Sequence, residues 1–244
     1  RLKSGPDFPK TSQPSAGSFL EAYRAAAAAG ADQIVSIHLS SKVSGTYNSA
    51  VQAKQELGGT GPRVEVIDTL QASMALGLVV MQVADAVRTG ATLQHAVDLA
   101  RSLSQRARFF GLLDTLEYLR RGGRVGRAKL YLGSLLSIKP ILGLVNGEAH
   151  PIDRARSRQK GIARIVEIAR REAPLTGLCV LYGADRGAAD ALAATLHDLG
   201  PASAPGQARP GGPIISQFGP VLGTYLGPEA LGVCLIKAAP TSAG

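Results

Sequence analysis

A chain of 244 residues with 45% apolar content can fold as one large domain or two small ones, and no apolar run reaches the ~20 residues that span a bilayer. Its net charge of +9 is concentrated: residues 120–171 hold 13 Lys and Arg against 3 acids, leaving 14 basic and 15 acidic residues elsewhere. One basic face therefore needs explaining. Aromatics make up only 5% of the chain, with Tyr131 the segment's one aromatic, so base-stacking platforms for nucleic acid are poorly supported.

In chain order, the opening Arg1-Leu2-Lys3-Ser4-Gly5-Pro6 precedes no apolar segment and does not read as a signal peptide. Ser15 or Ser18 caps a helix through Ala29, which Gly30 ends. Strands at 33–39 and 64–67 alternate with helices at 47–57, 72–88 and 93–107, the pattern of βαβ units in a parallel sheet. After Arg108 the texture changes. A strand at 109–113 and a short helix at 116–121, stopped by Gly122-Gly123, lead to a hairpin of 138–145 and 150–154 turned at Asn146-Gly147. A helix at 158–171, a strand at 178–182, a helix at 187–199 and strands at 214–218 and 231–237 follow, with 200–213 a surface loop. Cys179 and Cys234 each lie inside an apolar run and read as buried, inert thiols of a reducing cytosol. The fold class is α/β, with two α/β domains, 1–103 and 104–244.

Two hydroxyl-rich turns are the most informative chemistry. Thr11-Ser12-Gln13-Pro14-Ser15 comes first; Ser40-Ser41-Lys42-Val43-Ser44-Gly45-Thr46 follows the apolar run Ile34-Val35-Ser36-Ile37-His38-Leu39 and precedes a helix. A strand entering a Ser/Gly turn and then a helix leaves free N–H groups and hydroxyls facing one crevice, which suits an anionic, oxygen-rich head group. Other constellations are weaker. The chain lacks G-x-S-x-G, so a Ser hydrolase reading rests on a Ser44–His38–Asp68 triad alone. His95 and His197 fall on helices and His150 in the hairpin, and no His/Cys/Asp cluster has metal-ligand spacing. Gly122-Gly123-Arg124-Val125-Gly126 does not open a helix from a strand and is neither a P-loop nor a dinucleotide fingerprint. This thin inventory favours a binding protein with no catalytic residue, metal or cofactor. For the basic segment three readings stay open: a solvated helix face, a docking face for an acidic protein or phosphorylated ligand, and a nucleic-acid surface. In Arg154-x-Arg156-x-Arg158 a strand would put all three cations on one face.

Both turns, together with Val66-Ile67-Asp68-Thr69, Ser73-Met74, Leu76-Gly77, Thr115-Leu116-Glu117-Tyr118-Leu119-Arg120-Arg121-Gly122-Gly123-Arg124-Val125-Gly126, Leu132-Gly133-Ser134-Leu135-Leu136-Ser137-Ile138-Lys139-Pro140-Ile141-Leu142 and Gly227-Pro228-Glu229-Ala230-Leu231-Gly232, resemble the DegV family in order and spacing. The resemblance covers most of the chain. It implies a two-domain α/β protein of the bacterial cytoplasm that holds a long-chain fatty acid between its domains. It implies as well that the protein presents this ligand to a fatty acid kinase for acyl-phosphate formation, without inserting stably in a membrane or binding nucleic acid. The family's carboxylate contacts fall on Thr11 and Ser44, with Gly45 and Thr46 beside them. The resemblance further implies a segment ahead of the first Thr motif, with an Asp-Ser turn. Where family members carry a His before x-Gly-Pro-Gly, this chain has Tyr225, a phenol that can donate a hydrogen bond but stays neutral at pH 7. Arg154, Arg156 and Arg158 are the expected partner-docking residues.

Overall fold

The computed structural model describes residues 2, 7–59, 61–131, 138–201 and 211–240. The 132–137 part of the long Leu/Ser motif and residues 202–210 of the expected surface loop lie outside them. Two sheets organise the chain. The first follows from α1 (Ala16–Ala28), β1 (Gln33–His38), α2 (Thr46–Leu57) and β2 (Arg63–Asp68), with β1 and β2 parallel from Gln33↔Arg63 to His38↔Asp68. Ser15 caps α1 by accepting from the Ser18 amide, as its residue type favours. Alternation along β1 and β2 divides their side chains. Ile34, Val64 and Val66 pack on Tyr23 and Phe19 of α1 and on Ala53 of α2, whereas Val35, Ile37 and Ile67 turn to the main core.

Two helices, α3 (Ser73–Arg88) and α4 (Leu93–Arg106), link this unit to a six-stranded sheet. Its strands are β3 (Ala107–Leu112), β4 (Lys139–Val145), β5 (Glu148–Ala155), β6 (Leu175–Tyr182), β7 (Ile214–Gln217) and β8 (Leu231–Lys237), in spatial order β5-β4-β3-β8-β6-β7. Only β6–β7 is parallel here; the other four pairings are antiparallel. The parallel βαβ pattern therefore holds for β1-α2-β2 and recurs once, while hairpin and crossover pairings build the rest. Both faces of this sheet are covered, which explains the unbroken apolar runs of β3, β6 and β8. Phe109, Leu181, Cys234 and Ile236 face α3 and α4; Phe110, Leu112, Val180, Val233 and Leu235 face α6 (Arg158–Arg171) and α7 (Arg186–Thr195). Full burial of each large side chain contributes about 1.5–3 kcal/mol. Cys179 and Cys234 are directly opposite one another in β6 and β8, free and buried, and burial alone pushes the Cys179 thiol up to about 12. Among the described residues no helix is long and apolar enough to cross a membrane.

Among the described residues four further elements remain: α5 (Glu117–Arg121), 3-10 turns at Gly126–Tyr131 and His197–Leu199, and α8 (Pro220–Leu226). No element is assigned from sequence to this last stretch, where glycines at 219, 223 and 227 surround a proline. Pro220 instead occupies the first helical turn, where its missing N–H costs nothing. The expected helix at 187–199 ends as α-helix at Thr195 and continues as a single 3-10 turn, His197–Leu199.

The hairpin of β4 and β5 turns through Asn146 and Gly147, both at positive φ (51° and 84°), as a tight primed turn requires. Its tip docks on the first unit: the buried Ser40 hydroxyl donates to the Gly147 carbonyl at 2.7 Å. A Cβ on Gly147 would fall 2.4 Å from Ser40 Oγ and 3.0 Å from side-chain carbons of Leu70 and Lys42. Gly147→Ala is expected to cost about 1–3 kcal/mol of stability in urea unfolding. Gly59→Ala, at a site with nothing within 4 Å of its Cβ position, is expected to change stability by less than ~0.5 kcal/mol.

Candidate functional site

The turn between β1 and α2 is held from within. The Ser40 carbonyl accepts from the Val43 and Ser44 amides at 3.2 Å each, and the Asp68 carboxylate accepts from the Ser41 amide (3.3 Å) and the Leu70 amide (2.9 Å). The α2 cap is Gly45, which offers no side-chain acceptor, and the first turn holds no acid. Ser44 Oγ accepts from the Thr46 amide at 3.2 Å and lies 2.8 Å from Thr46 Oγ1. An acid-free helix start ringed by hydroxyls concentrates donors and the positive end of the helix dipole at one point.

The first hydroxyl turn reaches the same point. The Gln13 side chain lies where a Cβ on Gly45 would be, 2.8 Å from its Nε2, so only glycine permits that approach. Thr11 Oγ1 is hydrogen-bonded to the phenol of Tyr225 on α8. The Tyr225 ring packs against Gly122, where a Cβ would come within 2.5 Å of two ring carbons. Over that ring sits the Arg124 guanidinium, 5.3 Å from its centroid, a favourable cation–π arrangement. Arg124 donates to the Val43 carbonyl (3.1 Å) and the Gly122 carbonyl (2.9 Å). Thr11, Ser44, Gly45, Thr46 and Tyr225 thus fall within one circuit of contacts, closed by Gln13 and Arg124.

Beside this circuit opens a cleft of about 760 Å³. It is lined by Lys42 through Gly45 from the turn after β1, by Arg124, Arg127 and Lys129, and by Glu148 and Ala149 of β5. Four cations against one carboxylate make it an anion-attracting surface. Lys42, Arg127 and Lys129 were not singled out from sequence. The available signal was that Gly122, Gly123 and Gly126 strip the chain around Arg124 of side chains, so that backbone and guanidinium face a neighbour directly.

The other basic residues go elsewhere. Arg164 pairs with Asp153 and Glu167, and Arg170 with Asp198 at 2.6 Å. Arg154, Arg156 and Arg158 do not share a strand face: Arg154 is on β5, Arg156 is in the bend after it, and Arg158 opens α6. Arg158 donates to the Glu229 carbonyl at 2.6 Å and faces Asp114 at 3.6 Å. Six residues of strand, roughly 20 Å, separate Arg154 from Glu148 of the cleft. The members of the hydrolase triad have other partners. His38 Nε2 bonds Ser36 Oγ at 2.7 Å, Ser44 bonds Thr46, and Asp68 accepts the two loop amides. Among the described residues no group of three or more His, Cys, Asp or Glu side chains is placed to hold a metal.

One residue beyond Tyr225, Leu226 turns into the main core and borders a narrow apolar gap against β3 and β8, too tight to hold a water molecule. A polar hydroxyl circuit and an apolar core thus meet at adjacent residues of α8.

Comparison with known proteins agrees with this architecture. Residues 1–238 match the model of a family described as "Uncharacterised protein, DegV family". A DegV domain-containing protein of Streptomyces coelicolor is 39% identical over 225 residues, covering 91% of this chain and 76% of its own. One from Deinococcus radiodurans is 35% identical, covering 96% and 80% respectively. Among solved structures, that of a DegV family protein from Thermus thermophilus, described by its fatty acid binding, superposes with a TM-score of 0.85 at 32% identity, covering 97% of this chain and 82% of that one. A Thermotoga maritima protein whose structure is described as revealing fatty acid binding function superposes at 0.81 and 28% identity, with 98% and 81% covered.

His38 supplies a check on the site's framework. It is buried, its ring meets Phe19 edge-on at 5.1 Å, and Tyr23 donates to the Ser36 hydroxyl it bonds. Burial holds its imidazole below the usual 6.5, while the Asp68 carboxylate acts in the opposite direction. A depressed His pKa means the unfolded chain takes up the proton first as pH falls. The stability contributed by neutral His38 is therefore complete above 6.5 and is lost as pH drops from 6.5 through the folded-state value. NMR titration is expected to place His38 below 6.5, and His38→Gln should flatten the acid-side fall in unfolding free energy. A titration at or above the ordinary value would contradict this account.

Proposed function

Since the chain belongs to the DegV family, we propose that it binds a long-chain fatty acid, carboxylate at the Thr11–Ser44 circuit and tail in the apolar core beyond Leu226. The observation that carries this reading is the pairing of hydroxyls: Thr11 with Tyr225, and Ser44 with Thr46. Each pair has two O–H hydrogens and spends one on its internal bond, so each has one left to donate. Two outward hydrogens match the two oxygens of a carboxylate, and the open amide end of α2 beside Gly45 adds a favourable dipole. Burying a carboxylate without such donors would cost several kcal/mol. Tyr225 serves as a neutral donor here, braced by Gly122 and Arg124. For the tail, fourteen methylenes at ~0.8 kcal/mol each supply on the order of 11 kcal/mol gross, before ordering and association costs.

The protein acts as a cytosolic carrier, and no step of chemistry falls to its own side chains. It presents the bound acid to a fatty acid kinase, which phosphorylates the carboxylate in place. Support for this part comes from the cleft: Lys42, Arg124, Arg127 and Lys129 offer charge for a phosphoryl group beside Ser44. Hydroxyl donors hold the carboxylate without a bidentate Arg clamp, so an oxygen keeps a lone pair with which to attack a phosphoryl group. Arg154 and Arg156, exposed at the far end of β5, form a docking face for the kinase, with Arg158 fixing the bend behind them.

Calorimetry on delipidated protein tests the carrier reading. A fatty acid of about C14–C18 is expected to bind. Thr11→Val and Ser44→Ala are each expected to weaken binding by about 1–3 kcal/mol, with the fold retained. Folded protein that takes up no fatty acid would overturn the reading. With a cognate kinase, Arg127→Glu with Lys129→Glu should slow acyl-phosphate formation at low salt, and rising salt should reduce the difference. Equal rates at every salt concentration would remove the cleft from the mechanism.

A further inference from the structure

Three features in the core join to make one device. On β3 and β8, Gly111 and Gly232 face each other in register and point to the same side of the sheet as Phe109 and Cys234. Two missing side chains leave a hollow in an otherwise closed face. The Phe109 ring occupies it: a Cβ added at Gly111 would lie 2.8 Å from Phe109 Cζ, and one at Gly232 would lie 3.5 Å from Cε2. What remains is that narrow gap, without room for a water molecule and lined as well by Phe218, Leu226, Leu181 and Ala230, all apolar. It begins at Leu226, next in sequence to the phenol that holds Thr11.

From this placement we infer that Phe109 is the adjustable end-stop of the acyl slot and sets the longest chain the protein accepts. The inference rests on the fatty acid reading above. As packed, the gap is too tight to admit a chain unless a ring swings aside. Most of its wall consists of branched side chains and backbone, which yield little. Phe109 lies against glycines, so on the side of Gly111 and Gly232 its ring meets no Cβ, and that is where it has room to yield. Each methylene seated before the stop improves affinity about fourfold; methylenes beyond it gain nothing until the ring moves. A plot of log Kd against carbon number should therefore descend and then break, and Phe109 fixes the break.

The test is a saturated fatty acid series, C8 to C20, titrated into delipidated wild type, Phe109→Ala, Phe109→Leu and Gly111→Ala. Both Phe109 variants are expected to move the break to longer chains, Phe109→Ala by about two to four carbons. Gly111→Ala adds its Cβ against side-chain atoms only, of Phe109 and Leu113, so it should fold, press the ring into the gap and move the break to shorter chains. Opposite shifts in the two positions establish the stop; if Phe109→Ala does not fold, Phe109→Leu and Gly111→Ala still decide. An unchanged break in the folded variants, or an equal loss of affinity at every length, assigns Phe109 to packing alone and overturns the inference. Should wild type bind no chain of any length, it is the fatty acid reading that fails.

Discussion

The site depends on how one buried serine divides its hydrogen bonds. Ser40 donates its amide to the Gln71 carbonyl at 2.8 Å and its hydroxyl to Gly147, while that hydroxyl accepts from the Lys42 amide at 3.1 Å. Its carbonyl takes the Val43 and Ser44 amides. Every polar group of the residue is used, and the partners lie on the loop after β2, the turn itself and the hairpin tip of the other sheet. A buried polar group left unpaired costs about 1–3 kcal/mol, so these segments cannot separate without stranding several at once. That coupling fixes the turn carrying Ser44 relative to the larger sheet and opens the cleft at a definite width.

Glycine then decides what can approach. Gln13 reaches Gly45, the Tyr225 ring rests on Gly122, and Phe109 lies across the hollow of Gly111 and Gly232. In each case an absent side chain lets a larger neighbour occupy its volume. Tyr225 reaches Thr11 because Gly122 leaves room for its ring, over which the Arg124 guanidinium also lies. Neutral hydroxyls line the circuit while cations line the adjoining cleft, so hydrogen-bond donors and net positive charge occupy separate places that a single arginine clamp would merge.

Charge bookkeeping along the chain is a poor guide to charge in space. Of the basic residues between 120 and 171, Arg120, Lys139, Arg158, Arg164 and Arg170 have carboxylate partners within 4.0 Å. Exposed pairs of this kind contribute little to stability, yet they cancel much of the field the segment would otherwise project. Arg124, Arg127 and Lys129 face the cleft and are joined there by Lys42, which lies far away in sequence.

Local physics was legible in the residues. Ser15 as a cap, Asn146-Gly147 as a primed turn, the period of α6 and the unbroken apolar runs of β3, β6 and β8 each follow from short-range sterics and burial, and the two hydroxyl turns stood out by composition alone. That these turns converge on one circuit, through Gln13 and Gly45 and through Thr11 and Tyr225, appears only in the fold. Pairings between distant segments were not legible. The antiparallel order of the larger sheet, the helix formed at Pro220 among glycines, the phenol of Tyr225 against Thr11, and the departure of Arg154, Arg156 and Arg158 from a common face all depend on contacts across tens to hundreds of residues. Residue type sets what a side chain can donate, accept or bury, and neighbours within a turn set its local backbone. Which donor meets which acceptor is decided only when β3, β8 and α8 pack, because burial there makes every unmatched pairing too costly to keep.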